Sequence, residues 1–152
     1  MPKITVLIGI YNCAPTLPEA LDSLLAQTCQ DFKIVLCDDG STDDTYSVAK
    51  SYADRYDNIL LISNGVNRGL NYTLNHCLEY ADTEYCARMD GDDISLPTRF
   101  EKELAFLETH PEYAIVSTPM IYFDENGDYR TGRAAENPDK NDFVKGTPIC
   151  HA

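Results

Sequence analysis

Short apolar runs alternate with amphipathic segments along most of the chain, and this alternation limits the possible fold more than any other feature. The strand-like runs cover residues 4–8, 33–37, 59–62 and 85–89. Between them, hydrophobic residues recur at helical spacing. Strands that are separated by helices pair in parallel, with the helices on the faces of the sheet. The sequence therefore predicts an α/β fold with a mainly parallel sheet flanked by helices.

The helix starts carry capping signals. The first helix is predicted to begin at a capping box, with Thr16 as N-cap, Glu19 three residues later and a proline in the first turn. Its leucines then share one apolar stripe, which predicts packing against the sheet. The other predicted elements are helices over residues 42–56 and 70–80 and after Pro97, a fifth strand over residues 113–118, and a hairpin that turns at Asn126-Gly127.

Acidic residues follow two of the predicted strands. Asp90, Asp92 and Asp93 come directly after the fourth apolar run. Carboxylates this close repel one another unless a cation shares their charge, and hard oxygen ligands at this density suit Mg²⁺ or Mn²⁺. The alternative is an acidic surface loop in which an aspartate caps the next helix.

The second acidic element is Asp38-Asp39, which follows the second apolar run. Ser41 and Asp44 form an S-x-x-D box that would start a helix without any ligand, but capping does not account for Asp38 and Asp39. Ligands of open α/β sheets bind where the strands end. If the two acidic ends are adjacent, they predict one electronegative cleft that holds a divalent ion and, through it, a phosphorylated ligand.

Composition narrows the class of protein. The 152 residues fit one domain, and a hydrophobic content of 43% argues against disorder. A formal net charge of −13 argues against nucleic acid and anionic membrane surfaces, which both attract basic patches. An acidic protein can still bind an anionic nucleotide if a metal ion reverses the local charge.

Cysteine usage and hydropathy predict a location. The six cysteines show no C-x-x-C pair and no zinc spacing with the histidines, which favours a reducing compartment. No apolar run approaches the ~20 residues that span a bilayer, and the start lacks a signal-peptide pattern. We therefore expect a cytoplasmic protein without a transmembrane segment.

A set of short motifs occurs in order over nearly the whole chain: Ile8-Gly9-Ile10-Tyr11-Asn12, residues 24–28 with Asp31-Phe32, residues 38–43, Asn67-Arg68-Gly69-Leu70, Asn75, residues 87–97, Arg99-Phe100 and Pro148-Ile149-Cys150-His151. In order and spacing they resemble the large family 2 glycosyltransferases, which have the nucleotide-diphospho-sugar transferase (GT-A) fold. This resemblance implies inverting transfer of a sugar from a UDP-sugar, with a divalent metal, often in bacterial polysaccharide or lipopolysaccharide assembly.

The resemblance also implies residue roles. The second aspartate of the family's Asp-Asp-Gly-Ser element contacts uracil, and here that is Asp39, whose carboxylate suits the N3–H donor. Asp90-Gly91-Asp92 matches the DxD motif, so Asp92 would bind Mn²⁺ or Mg²⁺ directly while Asp90 contacts ribose and helps to hold the ion. The further implied nucleotide-binding residues are Gly9, Ile10, Tyr11, Asn67 and Arg68. For Tyr11 the alternative is strand-end packing, and for Arg68 a solvated loop charge.

The catalytic base is not identified in the sequence. In the family, the catalytic aspartate lies beyond the Cys-His segment, so we expect the base beyond Ala152. Residues 1–152 are accordingly interpreted as a single GT-A domain truncated at its C-terminus. The late titratable residues are Asp139, Asp142 and His151.

Two other functions are kept as alternatives. One is a catalytically silent nucleotide-sugar-binding module. The other is a receiver-like Mg²⁺-binding phosphoacceptor domain, which needs an acidic pair after the first strand, where this chain has Gly9-Ile10-Tyr11-Asn12. The expected partners are a nucleotide-sugar donor and a saccharide or lipid-linked acceptor, with no nucleic acid. A homodimer is possible, as is peripheral attachment at the inner membrane face through the missing C-terminal part.

Overall fold

A computed structural model of the chain describes residues 2–124 and 126–132. The chain divides into two compact units, Met1–Thr98 and Arg99–Ala152. The first contains β1 (Ile4–Ile10), α1 (Leu17–Leu25), β2 (Phe32–Asp38), α2 (Thr45–Ala53), β3 (Ile59–Ser63), α3 (Leu70–Leu78) and β4 (Tyr85–Arg88). The second contains α4 (Arg99–Thr109), β5 (Ile121–Asp124) and β6 (Gly127–Thr131).

The first unit is built on a four-stranded parallel sheet in the order β3-β2-β1-β4. The inner strands β1 and β2 are almost entirely buried, as expected of strands whose sequences are continuous apolar runs. The register from Ile4 opposite Phe32 to Ile10 opposite Asp38 brings both strand ends to the same edge. The predicted α/β class is therefore confirmed.

One face of the sheet is covered by α3. Its Cys77 packs with Leu7 of β1 and Val35 of β2. Near the end of β1, a Cβ atom on Gly9 would lie only 3.1 Å from the Thr73 Cγ2 atom, so the absence of a side chain there lets α3 approach closely. The first turn of α3 thus lies at the carboxyl edge of the sheet.

The two predicted capping boxes do not form. The Thr16 hydroxyl lies 3.1 Å from the Gly91 carbonyl, to which it donates, and the side chain makes no cap hydrogen bond to α1. The second helix begins at Thr45 rather than at residue 42, because the polar residues after β2 bond to another loop. The Ser41 Oγ atom accepts from the Asn12 amide at 3.1 Å, for example.

The second unit confirms one prediction and contradicts another. The strands β5 and β6 pair antiparallel around the predicted turn. Residues 113–118, predicted as a strand, form none. Tyr113 instead packs against Phe106 and His110, and Ile115 is 66% exposed, so the segment buries no face that a strand would need. Over the described ranges, the structure contains no helix that is long and apolar enough to cross a membrane.

Candidate functional site

A recess of ≈ 190 Å³ opens at the carboxyl edge of the sheet, between the end of β1 and the start of α3. Open parallel sheets bind their ligands at this edge. The recess brings together five of the seven residues predicted to bind nucleotide, together with three others. Its lining consists of Gly9, Ile10, Tyr11, Asp39, Asn67, Gly69, Leu70 and Thr73.

Asp39 is the charged group of this recess. Its side chain is 4% exposed. The carboxylate accepts hydrogen bonds from Asn64 Nδ2 and from the backbone amides of Arg68 and Gly69, each at 2.8 Å. Burial alone would raise the pKa of Asp39, but these hydrogen bonds outweigh it and hold the pKa below its usual value. Asp39 is therefore an ionised acceptor at neutral pH, with three of about four acceptor positions in use.

A partly buried polar network lies behind Asp39. The Asn64 Nδ2 atom also donates to Thr73 Oγ1 at 3.0 Å, and Asn64 Oδ1 lies 2.7 Å from His76 Nδ1 and 3.4 Å from Cys37 Sγ. No motif or spacing in the sequence marks Asn64, Thr73 and His76. They become recognisable only when β3 and α3 are placed beside β2.

The other acid after β2 has a structural role. The Asp38 carboxylate accepts hydrogen bonds from the amides of Gly40 at 3.2 Å and Ser41 at 3.3 Å, which holds the turn after the strand. Gly40 has φ +72°, and a Cβ atom there would lie 2.6 Å from the Val66 carbonyl carbon. Only glycine lets this turn lie against the loop after β3, and that loop supplies Asn67 and Gly69 to the recess.

The loops after β1 and β2 are joined by hydrogen bonds. Asn12, at φ 48°, accepts the Thr42 amide on its Oδ1 atom at 2.8 Å. The Cys13 amide donates to Thr45 Oγ1 at 2.8 Å, and the Ala14 amide donates to the Asp43 carboxylate at 3.3 Å. These side chains therefore fix the rim of the carboxyl edge, and the Asp43 carboxylate also accepts the amide of Thr45, the first residue of α2, at 2.9 Å.

The two predicted metal ligands in the acidic turn after β4, Asp90 and Asp92, have different surroundings. Asp90 forms an ion pair with Arg88, with 2.6 Å between Oδ1 and the guanidinium. Asp92 is exposed and has no hydrogen bond or ion pair within the described part of the chain. Between them, Gly91 lies close to the loop after β1. A Cβ atom at this position would be only 3.0 Å from Cys13 Sγ.

The two acidic strand ends are not neighbours in the sheet. β1 lies between β2 and β4, which separates those strands by about 10 Å. Negative charges from the loops after β2 and β4 nevertheless act on the same group, the Cys13 thiol. Burial raises the pKa of Cys13, and the negative charges of Asp43 and Asp92 raise it further. Acids from both ends thus face the loop after β1.

The residues of the acidic turn fit a divalent cation that is shared with a phosphate ligand. Within residues 2–124 and 126–132, no three His, Cys, Asp or Glu side chains cluster as a complete protein cage. Mg²⁺ and similar ions at phosphate sites need only one or two protein carboxylates, with phosphate and water as the other ligands. The exposed Asp92 carboxylate, with Asp90 two residues before it, meets that requirement.

Arg68 and Asp90 are the predicted nucleotide-binding residues that do not line the recess. Arg68 places its guanidinium carbon 4.6 Å from the centre of the Tyr72 ring, so only its amide contacts Asp39. The late titratable residues Asp139, Asp142 and His151 fall outside the described residues.

A parallel α/β sheet with a recess and an acidic turn at its carboxyl edge places the chain among the open α/β proteins, which bind ligands at that edge. The family model for glycosyl transferase family 2 matches residues 5–150, and the chain belongs to this family. Membership excludes the receiver-like alternative and confirms the resemblance found in the sequence.

Two curated relatives are similar over almost the whole chain. The putative glycosyltransferase EpsE of Bacillus subtilis is 48% identical over 99% of the chain. The amylovoran biosynthesis glycosyltransferase AmsE of Erwinia amylovora is 37% identical over 93% of it. In both alignments the match covers 54% of the relative, so the chain spans about half the length of these curated proteins.

Two solved structures share the fold. S. aureus TarS 1–349 in complex with UDP-GlcNAc superposes with a TM-score of 0.67 and 28% identity, covering 72% of this chain and 32% of TarS. The mannosyltransferase PcManGT of Pyrobaculum calidifontis, in complex with GDP-Man and Mn²⁺, gives 0.63 and 28%, covering 70% of this chain and 32% of PcManGT.

Proposed function

We propose that the protein to which this chain belongs transfers a sugar from a UDP-sugar to an acceptor hydroxyl, with inversion of configuration. The observation that carries the proposal is the ionised Asp39 in the recess beside the backbone of Gly9, Ile10 and Tyr11. Uracil presents an N3–H donor, whereas cytosine has an acceptor at that position. An ionised carboxylate therefore favours uracil.

Two other features support a donor bound along the carboxyl edge. Tyr11 is exposed at the mouth of the recess, where its ring can lie against a base. Asn67 and Gly69 belong to the loop after β3, whose Arg68 and Gly69 amides donate hydrogen bonds to the Asp39 carboxylate. The TarS complex with UDP-GlcNAc is consistent with a uridine donor for a chain of this family.

We place a divalent ion at Asp92, with Asp90 beside it. When bound, Mn²⁺ or Mg²⁺ would offset the charge that develops on the departing diphosphate. The Mn²⁺ in the PcManGT complex supports a metal in this family. The ion also resolves the repulsion between a diphosphate and a chain whose formal net charge is −13.

The acceptor is proposed to be a saccharide or a lipid-linked saccharide in polysaccharide assembly, which the name of the AmsE relative supports. Inversion by direct displacement requires a base that takes the proton of the acceptor hydroxyl. None of the described residues is assigned that role. Release of UDP from UDP-sugars in the presence of acceptor tests transfer, and tight UDP binding without any release would instead indicate a silent binding module.

The first experiment is a thermal-shift series with UDP, CDP and GDP, each with Mn²⁺ or with EDTA. We expect UDP with Mn²⁺, at ~100 times its dissociation constant, to stabilise the protein by about 2.7 kcal/mol. GDP is the informative competitor, because guanine also presents N–H donors. Equal shifts for UDP and CDP would contradict the role of Asp39, and equal shifts with EDTA would contradict the metal.

The matched variants are Asp92→Asn and Asp44→Asn. Asp44 is also exposed near the carboxyl edge, and its side chain makes no cap hydrogen bond, so its variant controls for charge alone. We expect Asp92→Asn to weaken the Mn²⁺-dependent part of UDP binding, because an amide is a poorer ligand for a hard cation. Asp44→Asn should bind UDP as the wild type does.

A further inference from the structure

The Asn64 side chain uses its whole hydrogen-bonding capacity. An amide has two N–H donors and two acceptor positions. The donors of Asn64 go to Asp39 Oδ1 at 2.8 Å and Thr73 Oγ1 at 3.0 Å. Its oxygen lies 2.7 Å from His76 Nδ1 and 3.4 Å from Cys37 Sγ. A saturated amide with four different partners has one favourable orientation.

Two neighbouring groups determine that the NH₂ group of Asn64, rather than its oxygen, faces Asp39. The ionised Asp39 can only accept, so it requires a donor from Asn64. On the other side, the Cys37 thiol donates to Asn64 Oδ1, with 3.4 Å between the sulfur and the oxygen. The oxygen of Asn64 faces His76 and can only accept a hydrogen bond. The Nδ1 atom of His76 must therefore carry the proton that it donates to this oxygen.

We propose that Asn64 is a positioning residue for base recognition, and that His76 sets the direction of its amide. Asn64 holds the Asp39 carboxylate so that the acceptor position left open to the recess meets the N3–H group of uracil. This inference rests on the proposed function, since it needs Asp39 to contact the base. Asn64 lies in the loop after β3 and His76 lies in α3, and both are behind the recess.

The physical consequence concerns the choice of base. The backbone amides of Arg68 and Gly69 would still hold the carboxylate without Asn64, but the Oδ1 atom would lose its side-chain donor. Without this donor, the carboxylate can turn to accept from the exocyclic N4 amino group of cytosine. Loss of Asn64 should therefore weaken UDP binding more than CDP binding.

The experiment measures the dissociation constants of UDP and CDP, with Mn²⁺ present, for the full chain and its variants. Asn64→Leu removes the amide, and Asn64→Asp keeps its size while placing a second carboxylate against Asp39. We expect the preference for UDP over CDP to fall about tenfold or more in both, the scale of a hydrogen bond to a charged group. The matched control is Asn58→Leu, the same substitution in the loop before β3, at the opposite edge of the sheet.

A second pair of variants tests His76. His76→Phe removes the Nδ1 donor, whereas His76→Asn retains an N–H donor at about the same distance from the backbone. We expect His76→Phe to lower the preference for UDP and His76→Asn to restore most of it. His110→Phe, at the position directly after α4, is the control for loss of a histidine. In the wild type, ¹⁵N chemical shifts of the His76 ring should show a protonated Nδ1.

The outcomes separate this inference from the proposed function. If UDP and CDP weaken by the same factor in the Asn64 variants, or if only thermal stability falls, Asn64 has a purely structural role and the inference is overturned. A His76 ring protonated only at Nε2 would overturn the part that concerns His76. If the wild type shows no preference for UDP, the proposed function itself fails.

Discussion

At the scale of single residues, Asp39 joins the recess to the loop after β3. It is buried, yet its hydrogen bonds to Asn64, Arg68 and Gly69 keep its pKa below the usual value. A carboxyl whose pKa is lower in the folded than in the unfolded state stabilises the fold above the unfolded pKa of about 3.9. That contribution is lost as the pH falls through the folded value.

Asp39→Asn should therefore change both the size and the pH dependence of stability. At pH 7 we expect a loss of about 1–3 kcal/mol, because the amide presents N–H groups to the donors of Arg68 and Gly69. The difference from the wild type should shrink as the pH falls below about 4, where the carboxyl of the unfolded wild type takes up its proton, and should be lost as the pH falls through the lower pKa of the folded state. Urea unfolding at several pH values measures this.

The control for that prediction is Asp57→Asn. Asp57 is exposed, so the same change of charge should alter stability little at any of these pH values. A constant difference between the Asp39 variant and the wild type across the acid range would show that the Asp39 carboxylate has no lowered pKa.

At the scale of elements, the loops after the strands are held by long-range contacts rather than by their own sequence. The buried Gln27 side chain, for example, donates to the carbonyl of Leu96 at 2.8 Å and to the Ser95 hydroxyl at 3.2 Å. These two hydrogen bonds anchor the segment that follows the acidic turn to the end of α1. The loop after β3 is fixed in a comparable way, by the turn at Gly40.

Gly40→Ala tests how closely the two loops must approach. The new Cβ atom would fall 2.6 Å from the Val66 carbonyl carbon and 2.7 Å from the Asn67 amide nitrogen, and the residue would keep a positive φ. We expect the loop after β3 to shift, with a loss of stability of about 2 kcal/mol or more and weaker UDP binding. Denaturant unfolding and UDP titration measure the two effects.

Gly65→Ala is the matched control in the same pair of loops. Gly65 also has a positive φ of +74°, but a Cβ atom there would meet nothing within 4 Å. The variant should show only the conformational cost of about 1 kcal/mol. Equal effects of the two alanines would mean that the contact between Gly40 and the loop contributes nothing.

At the scale of the whole molecule, the balance of charge acts on stability and on ligand binding in opposite ways. A formal net charge of −13 destabilises the compact state by self-repulsion. The same charge makes a bare diphosphate an unfavourable ligand, which is why a divalent ion is part of the proposed site.

Monovalent salt should accordingly stabilise the unliganded protein. Raising NaCl from about 10 mM to 150 mM shortens the screening length from about 30 Å to 8 Å. We expect a gain on the order of 1 kcal/mol, or about 2–4 °C in Tm for a chain of this length. Differential scanning calorimetry with KCl as a second salt checks that screening is the cause, and a Tm that stays constant or falls would contradict it.

Much of the fold follows from local sequence. The inner strands β1 and β2 are continuous apolar runs, and such runs separated by amphipathic helices can bury their surface only in a parallel sheet. The hairpin of β5 and β6 follows from its turn residues. Residues 113–118 were mispredicted because β-forming side chains make a strand only where a partner covers them, and Ile115 is exposed.

The family was also readable from the sequence, because motifs keep their order and spacing whatever the tertiary contacts are. The sequence likewise named five residues that the recess brings together. Tertiary structure alone decided that β1 separates the two acidic strand ends, and that Thr16 and Ser41 bond to other loops instead of capping helices. It alone showed that Asn64 and His76 stand behind Asp39. The reason is physical: these hydrogen bonds join residues far apart in the chain, and each polar group takes the partner that the packed sheet places nearest.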